Sequence, residues 1–133
     1  MESSILSNLS KKSQTGYDIN VKSKYKEGTK LETQVKDLYG HSFTQKEVRS
    51  IDLSQNTLLR IPTGMYKNLT ILNISMNSLR GFTGIETCSS LRFLNASHNQ
   101  IKSLDHLGQL QLLNELFISQ NQLSQIKELG ALR

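Results

Sequence analysis

The chain has 133 residues, with one cysteine, one proline, no tryptophan and only 6% aromatic residues. Each scarcity removes a class of protein. A lone Cys88 excludes an internal disulfide framework and any paired-cysteine metal motif, and it fits a reducing compartment. No segment approaches the roughly 20 consecutive apolar residues that span a bilayer. The amino-terminal MESSILSNLSKKSQ carries Glu2 where a secretory leader is basic, and it lacks the apolar stretch of about 7 to 15 residues such a leader needs, so a cytoplasmic or nuclear protein is expected. His41, His98 and His106 are scattered, no glycine run suits a phosphate, and no nucleophile has a base at a recognisable spacing. No catalytic, cofactor or metal site is therefore read. The net charge is +5. Lysines and arginines divide equally, eight before Val48 and eight after it, and they interleave with acids. That pattern argues against a nucleic-acid partner, which requires a basic stripe with stacking aromatics.

What the chain does contain is a repeat. Asn56, Asn77, Asn99 and Asn121 stand 21, 22 and 22 residues apart. Each closes the same nine-residue phrase: VRSIDLSQN from Val48, LTILNISMN from Leu69, LRFLNASHN from Leu91 and LNELFISQN from Leu113. Apolar residues fill places one, four and six. Strand alternation then points Ile51 and Leu53, Leu72 and Ile74, Leu94 and Ala96, Leu116 and Ile118 inward, and their neighbours outward. Each phrase predicts one short strand per turn of a solenoid, with successive turns pairing in a parallel sheet. Behind the strand, Ile101, Leu104, Leu107 and Leu110 recur at intervals of three to fill the interior, and Leu123, Ile126, Leu129 and Leu132 repeat them. Cys88 falls at the place of Leu110 and reads as a small buried hydrophobe. The asparagine sits where the chain leaves the strand, so its amide can serve backbone groups that the bend leaves unpaired. Asn56, Asn77, Asn99 and Asn121 are accordingly expected to form a structural ladder.

The segment from Val48 to Arg133 resembles a leucine-rich repeat array. Its third and fourth turns, NQIKSLDHLGQLQL and NQLSQIKELGALR, are similar to the short intracellular Sds22-like class of about 22 residues per repeat. The first turn, NTLLRIPTGMYKNL, is one residue shorter and carries Pro62. The resemblance implies an α/β solenoid with short parallel strands on a concave face and irregular or short helical segments on the convex one. It also implies a non-catalytic module that binds another protein. Two alternatives stay open: a recognition domain of a larger enzyme or signalling scaffold, and a structural subunit that uses its amino-terminal segment in a large assembly. Leu132 is an interior residue one place before the last, so further repeats are expected beyond Arg133, covering an apolar edge.

Residues 1–47 lack the repeat. Residues 1–28 are polar and lysine-rich and read as a tail open to disorder, although Tyr17, Ile19 and Val21 alternate as in a short strand. Residues 29–47 read as a helix and linker that cap the first repeat. Thr29 and Glu32 suggest a capping box, Leu31, Val35 and Leu38 share one helical face, and Gly40 suggests the stop.

The outward places define a candidate binding surface. Place three reads Ser50, Ile71, Phe93, Glu115; place five reads Asp52, Asn73, Asn95, Phe117; place seven is serine in every turn. Ile71, Phe93 and Phe117, with Met76 nearby, form an apolar cluster that nothing in the chain covers, and Asn73, Arg92, Asn95 and Glu115 surround it. The sequons at Asn8, Asn68, Asn73 and Asn95 are read as a by-product of a repeat rich in N-x-S phrases.

Overall fold

The structure, a computed structural model, describes residues 12–13, 16–62 and 64–123. Among these residues six strands form one sheet in chain order: β1 Lys12–Ser13, β2 Gly16–Asn20, β3 Val48–Asp52, β4 Ile71–Asn73, β5 Phe93–Asn95 and β6 Glu115–Phe117. β1 runs antiparallel to β2, and every later pair is parallel. A parallel pair needs a crossover of a dozen or more residues. The segments that return behind the sheet supply it. They contain α1 (Leu31–Tyr39) and two short 3-10 turns, Ile85–Thr87 and Leu107–Gln109.

The register follows the repeat. Ile51 pairs with Leu72, Leu72 with Leu94, and Leu94 with Leu116, so place four lies beside place four throughout. Ile51, Leu53, Leu72, Ile74, Leu94 and Ala96 are all buried, and Leu58, Leu79, Phe82, Ile101, Leu104 and Leu107 close the interior from the returning side. In the last described turn Leu113, Leu116, Ile118 and Leu123 are only partly buried against this core. Ile126, Leu129 and Leu132, like residues 1–11, lie outside the described residues.

A further turn precedes the four legible repeats. Ile19 pairs with Ile51 and Asn20 with Asp52, so Gly16–Lys24 fills the same nine places, with Ile19 at four and Val21 at six, both buried. The division at residue 28 therefore cuts through a turn of the coil, and residues 16–28 are part of the sheet and its first bend. Place one holds Gly16 at φ 133, where a Cβ would press into the Glu47 carbonyl. Only glycine fits that approach. The returning segment of this turn is α1, which buries Leu31, Val35 and Tyr39; the Tyr39 hydroxyl accepts the Asn20 N–H at 2.7 Å. Gly40 ends the helix at φ 82 and donates its N–H to the Lys36 carbonyl.

The expected capping box does not form at the other end of α1. Lys30 is the N-cap and makes no side-chain bond. Gln34 performs the task instead. Its amide accepts from Lys26 N at 2.7 Å and donates to the carbonyls of Lys26 and Thr29, at 2.8 and 2.9 Å, tying the loop to the helix. Tyr17 and Tyr39 both meet Phe43 edge-on, with centroids 4.9 and 5.6 Å away, and so seal the end of the interior.

Cys88 is wholly buried. Burial pushes its thiol up from 9.0 to about 11, with a Thr87 hydrogen bond opposing and the Glu86 charge reinforcing the rise. The sign is fixed by linkage: the unfolded thiol ionises first, so this stability is complete below pH 9 and drains away as pH climbs toward 11. Between pH 8.5 and 10.5 the chain should lose about 2 kcal/mol more, by urea unfolding, than its Cys88→Ala variant does. Equal losses would show that the thiol does not titrate out of this site.

Candidate functional site: the outward face of the sheet

The face is held by the asparagines at its border. Asn77 Nδ2 donates to the carbonyls of Ile74 and Ser75 in its own turn, at 3.0 and 3.1 Å, and to Leu53 O of the preceding turn at 3.1 Å. Its Oδ1 accepts Leu58 N, again of the preceding turn, at 3.0 Å. Asn99 repeats the set with Ala96, Ser97, Ile74 and Leu79. Asn56 reaches Val21 O and Tyr25 N of the first turn, and Asn121 reaches Ala96 O and Ile101 N. Each amide thus joins two consecutive turns. The residue just before it is left-handed every time: Gln55, Met76, His98 and Gln120 all have φ near 56. Ser23, at the same place of the first turn, has φ 58.

Place five carries a second, smaller device. Oδ1 of Asn20, Asp52, Asn73 and Asn95 accepts the backbone N–H two residues on, at 2.9 to 3.1 Å. In the last three of these turns it also accepts the serine hydroxyl at place seven, at 2.6 to 2.7 Å. These are Asx turns. They explain the serine row, and two of the sequons as well, since Asn73–Ser75 and Asn95–Ser97 bond within the phrase itself. The N–H donor fixes which amide atom is the oxygen. Sequence reasoning placed Asn73 and Asn95 simply as exposed neighbours of the apolar cluster. Half of each amide is in fact engaged locally, and among the described residues no group accepts from Nδ2.

The fifth turn departs from this scheme. Phe117 stands at place five, so Ser119 has no Asx acceptor there. The Phe117 ring is 48% exposed and lies against Phe93, with centroids 5.3 Å apart at 48°. The registers Ile71–Phe93–Glu115 and Asn73–Asn95–Phe117 put these side chains in two adjacent rows. Met76 is exposed but sits on the left-handed bend beyond the strand, and Arg92 is exposed on the lead-in to β5, so neither belongs to a row.

Along the rest of the face runs a hollow of about 410 Å³ whose lining includes Asp18, Asp52, Ile71, Asn73 and Phe93. Asp18 was not anticipated, because its strand was not counted as a repeat. Its carboxylate takes both Nε and Nη2 of Arg49, at 3.0 and 3.2 Å, and the Ser50 hydroxyl at 2.8 Å. Among the described residues no group of three or more His, Cys, Asp or Glu side chains is placed to hold a metal ion, and no helix is long and apolar enough to cross a membrane.

A stack of parallel strands joined by an amide ladder defines a solenoid of the leucine-rich kind. Residues 46–101 match the family described as leucine rich repeat, and residues 89–131 match its two-copy form. The segment 46–131 thus belongs to the leucine-rich-repeat family, whose proteins generally bind other proteins. No curated protein matches the chain. Among solved structures, an internalin of Listeria monocytogenes strain 4b F2365 shares the fold with a TM-score of 0.65 at 20% identity, over 87% of this chain. The chain spans 32% of that protein's length.

The two asparagine roles differ in weight. Asn99→Ala should cost roughly 2 to 4 kcal/mol, since Leu79 N and three carbonyls lose a buried partner, whereas Asn95→Ala should cost about 1 kcal/mol for a half-exposed turn. Chemical denaturation of both variants measures this. Matching midpoints would contradict the ladder's dominance.

Proposed function

We propose that the chain is a non-catalytic module that binds another protein on the concave, outward face of its sheet. Phe93 and Phe117 are the anchors, Ile71 and Met76 flank them, and Asn73, Asn95, Arg92 and Glu115 form the polar surround. One observation carries this reading. At place five, four turns use an Asx acceptor to close the bend, and the fifth gives up that bond for an exposed phenylalanine packed on another. A local rule broken without local gain is the mark of a functional position. Aromatic side chains ringed by polar groups are where interface energy concentrates, and a preordered sheet keeps the entropic cost of association low.

The same proposal puts the later turns in the Sds22-like class, supported by 3-10 turns that open at the same place in two successive repeats. It also places the protein in the cytoplasm, supported by its single, buried cysteine. A fluorescent fusion found in the secretory pathway would overturn that last part.

Binding to a partner recovered by affinity purification tests the face directly. Phe93→Ala and Phe117→Ala should each weaken it by about 2 kcal/mol or more, with circular dichroism nearly unchanged. Arg92→Ala, outside the rows, should mainly slow association and flatten its salt dependence. Unchanged affinity in both phenylalanine variants would end the concave-face reading.

A further inference from the structure

The repeat contains its own control for the charge at place five. Asn73 and Asn95 close their turns through Oδ1 with the same two bonds that Asp52 makes to Ser54 N and Oγ. A neutral amide therefore suffices for the bend, and the negative charge of Asp52 has no structural task there. Nor is it answered nearby. Among the described residues Asp52 has no ion pair, while the other carboxylate lining the hollow, Asp18, is paired with Arg49. The hollow thus holds one unbalanced carboxylate on β3, with Ile71 on β4 and Phe93 on β5 to one side of it.

We infer that this face selects an extended peptide segment of its partner carrying a single lysine or arginine at Asp52 and a bulky apolar side chain over Ile71 and Phe93. The inference rests on the concave-face reading and adds the chemistry of its ligand. Spacing follows from the sheet: Asp52 at place five of β3 and Phe93 at place three of β5 are two strand steps, about 10 Å, across and two residues, about 7 Å, along, so about 12 Å apart. An extended chain crossing the strands obliquely at roughly 3.3 Å per residue bridges that gap in about three to four residues. The cation is single because, of the two carboxylates lining the hollow, Asp18 is already paired with Arg49 and Asp52 alone is open. The donor Nδ2 groups of Asn73 and Asn95 continue the path toward Phe117 and suit the carbonyls of such a segment.

A phage-displayed library of random dodecapeptides, selected on the intact chain, supplies the probe. The selected peptides should share one Lys or Arg about three to four residues from an aromatic or leucine side chain. Asp52→Asn should weaken the best peptide by about fivefold to tenfold, as expected for a partly exposed charge pair. It should leave the affinity of that peptide's Lys→Gln or Arg→Gln version unaltered, and the thermal midpoint should stay put because Asn73 and Asn95 already close their turns. Phe93→Ala should weaken both peptides. If the phenylalanine variant weakens binding but Asp52→Asn does not, or if the selected peptides lack a basic residue, the inference fails and the concave-face reading stands. If the library yields no binder, or only binders indifferent to Phe93→Ala and Phe117→Ala, both fail together.

Discussion

Everything on the outward face depends on one amide per turn. Stacking five bends leaves backbone carbonyls and an N–H at each crossing with no strand partner, and the interior there is too dry to solvate them. Asn56, Asn77, Asn99 and Asn121 answer those groups in both the turn they belong to and the one before. Spacing between repeats is therefore fixed by side-chain chemistry as well as by apolar packing. Once the turns are locked at that pitch, the rows at places three and five come into line without further help.

The ladder also accounts for what the sequence did and did not disclose. The asparagine at place nine serves its own turn and also joins it to the turn before. Among the described residues no parallel turn precedes the first, so Lys24 stands at place nine with no earlier turn to join, and the close approach of the Glu47 carbonyl sets Gly16 at place one. Without those two markers the phrase GYDINVKSK is hard to see. Its spacing hides it too, because α1 stretches the interval from Gly16 to Val48 to 32 residues. Alternation of Ile19 and Val21 was the available signal. The four later phrases were readable because every place in them serves a contact that recurs. Gln34, by contrast, competes with a plausible capping box for the same loop, and only the path of the loop from Lys26 to Thr29 shows which residue reaches it.

The candidate site was legible in outline for the same reason. Outward places follow from strand alternation, so Ile71, Phe93 and Phe117 could be grouped from register alone. The split role of place five could not. Whether an Asn or Asp side chain faces solvent or bonds its own backbone depends on the φ of the bend, which composition does not encode. The result is a place where one atom is committed to the fold and the other is left to vary: amide nitrogen in Asn73 and Asn95, a second carboxylate oxygen in Asp52. A residue can then change what the face recognises without changing the turn that presents it.

The Asx turn has a consequence for the cell biology of any chain built this way. The phrase that closes it, Asn-x-Ser, is also the acceptor for N-linked sugars, which are attached at the amide nitrogen. In the folded repeat that nitrogen at Asn73 and Asn95 lies in the middle of the sheet's outward face. An oligosaccharide there would stand where the proposed partner lies. The choice of compartment and the use of this face are thus coupled, and routing such a repeat through the endoplasmic reticulum would turn a structural turn into a steric block.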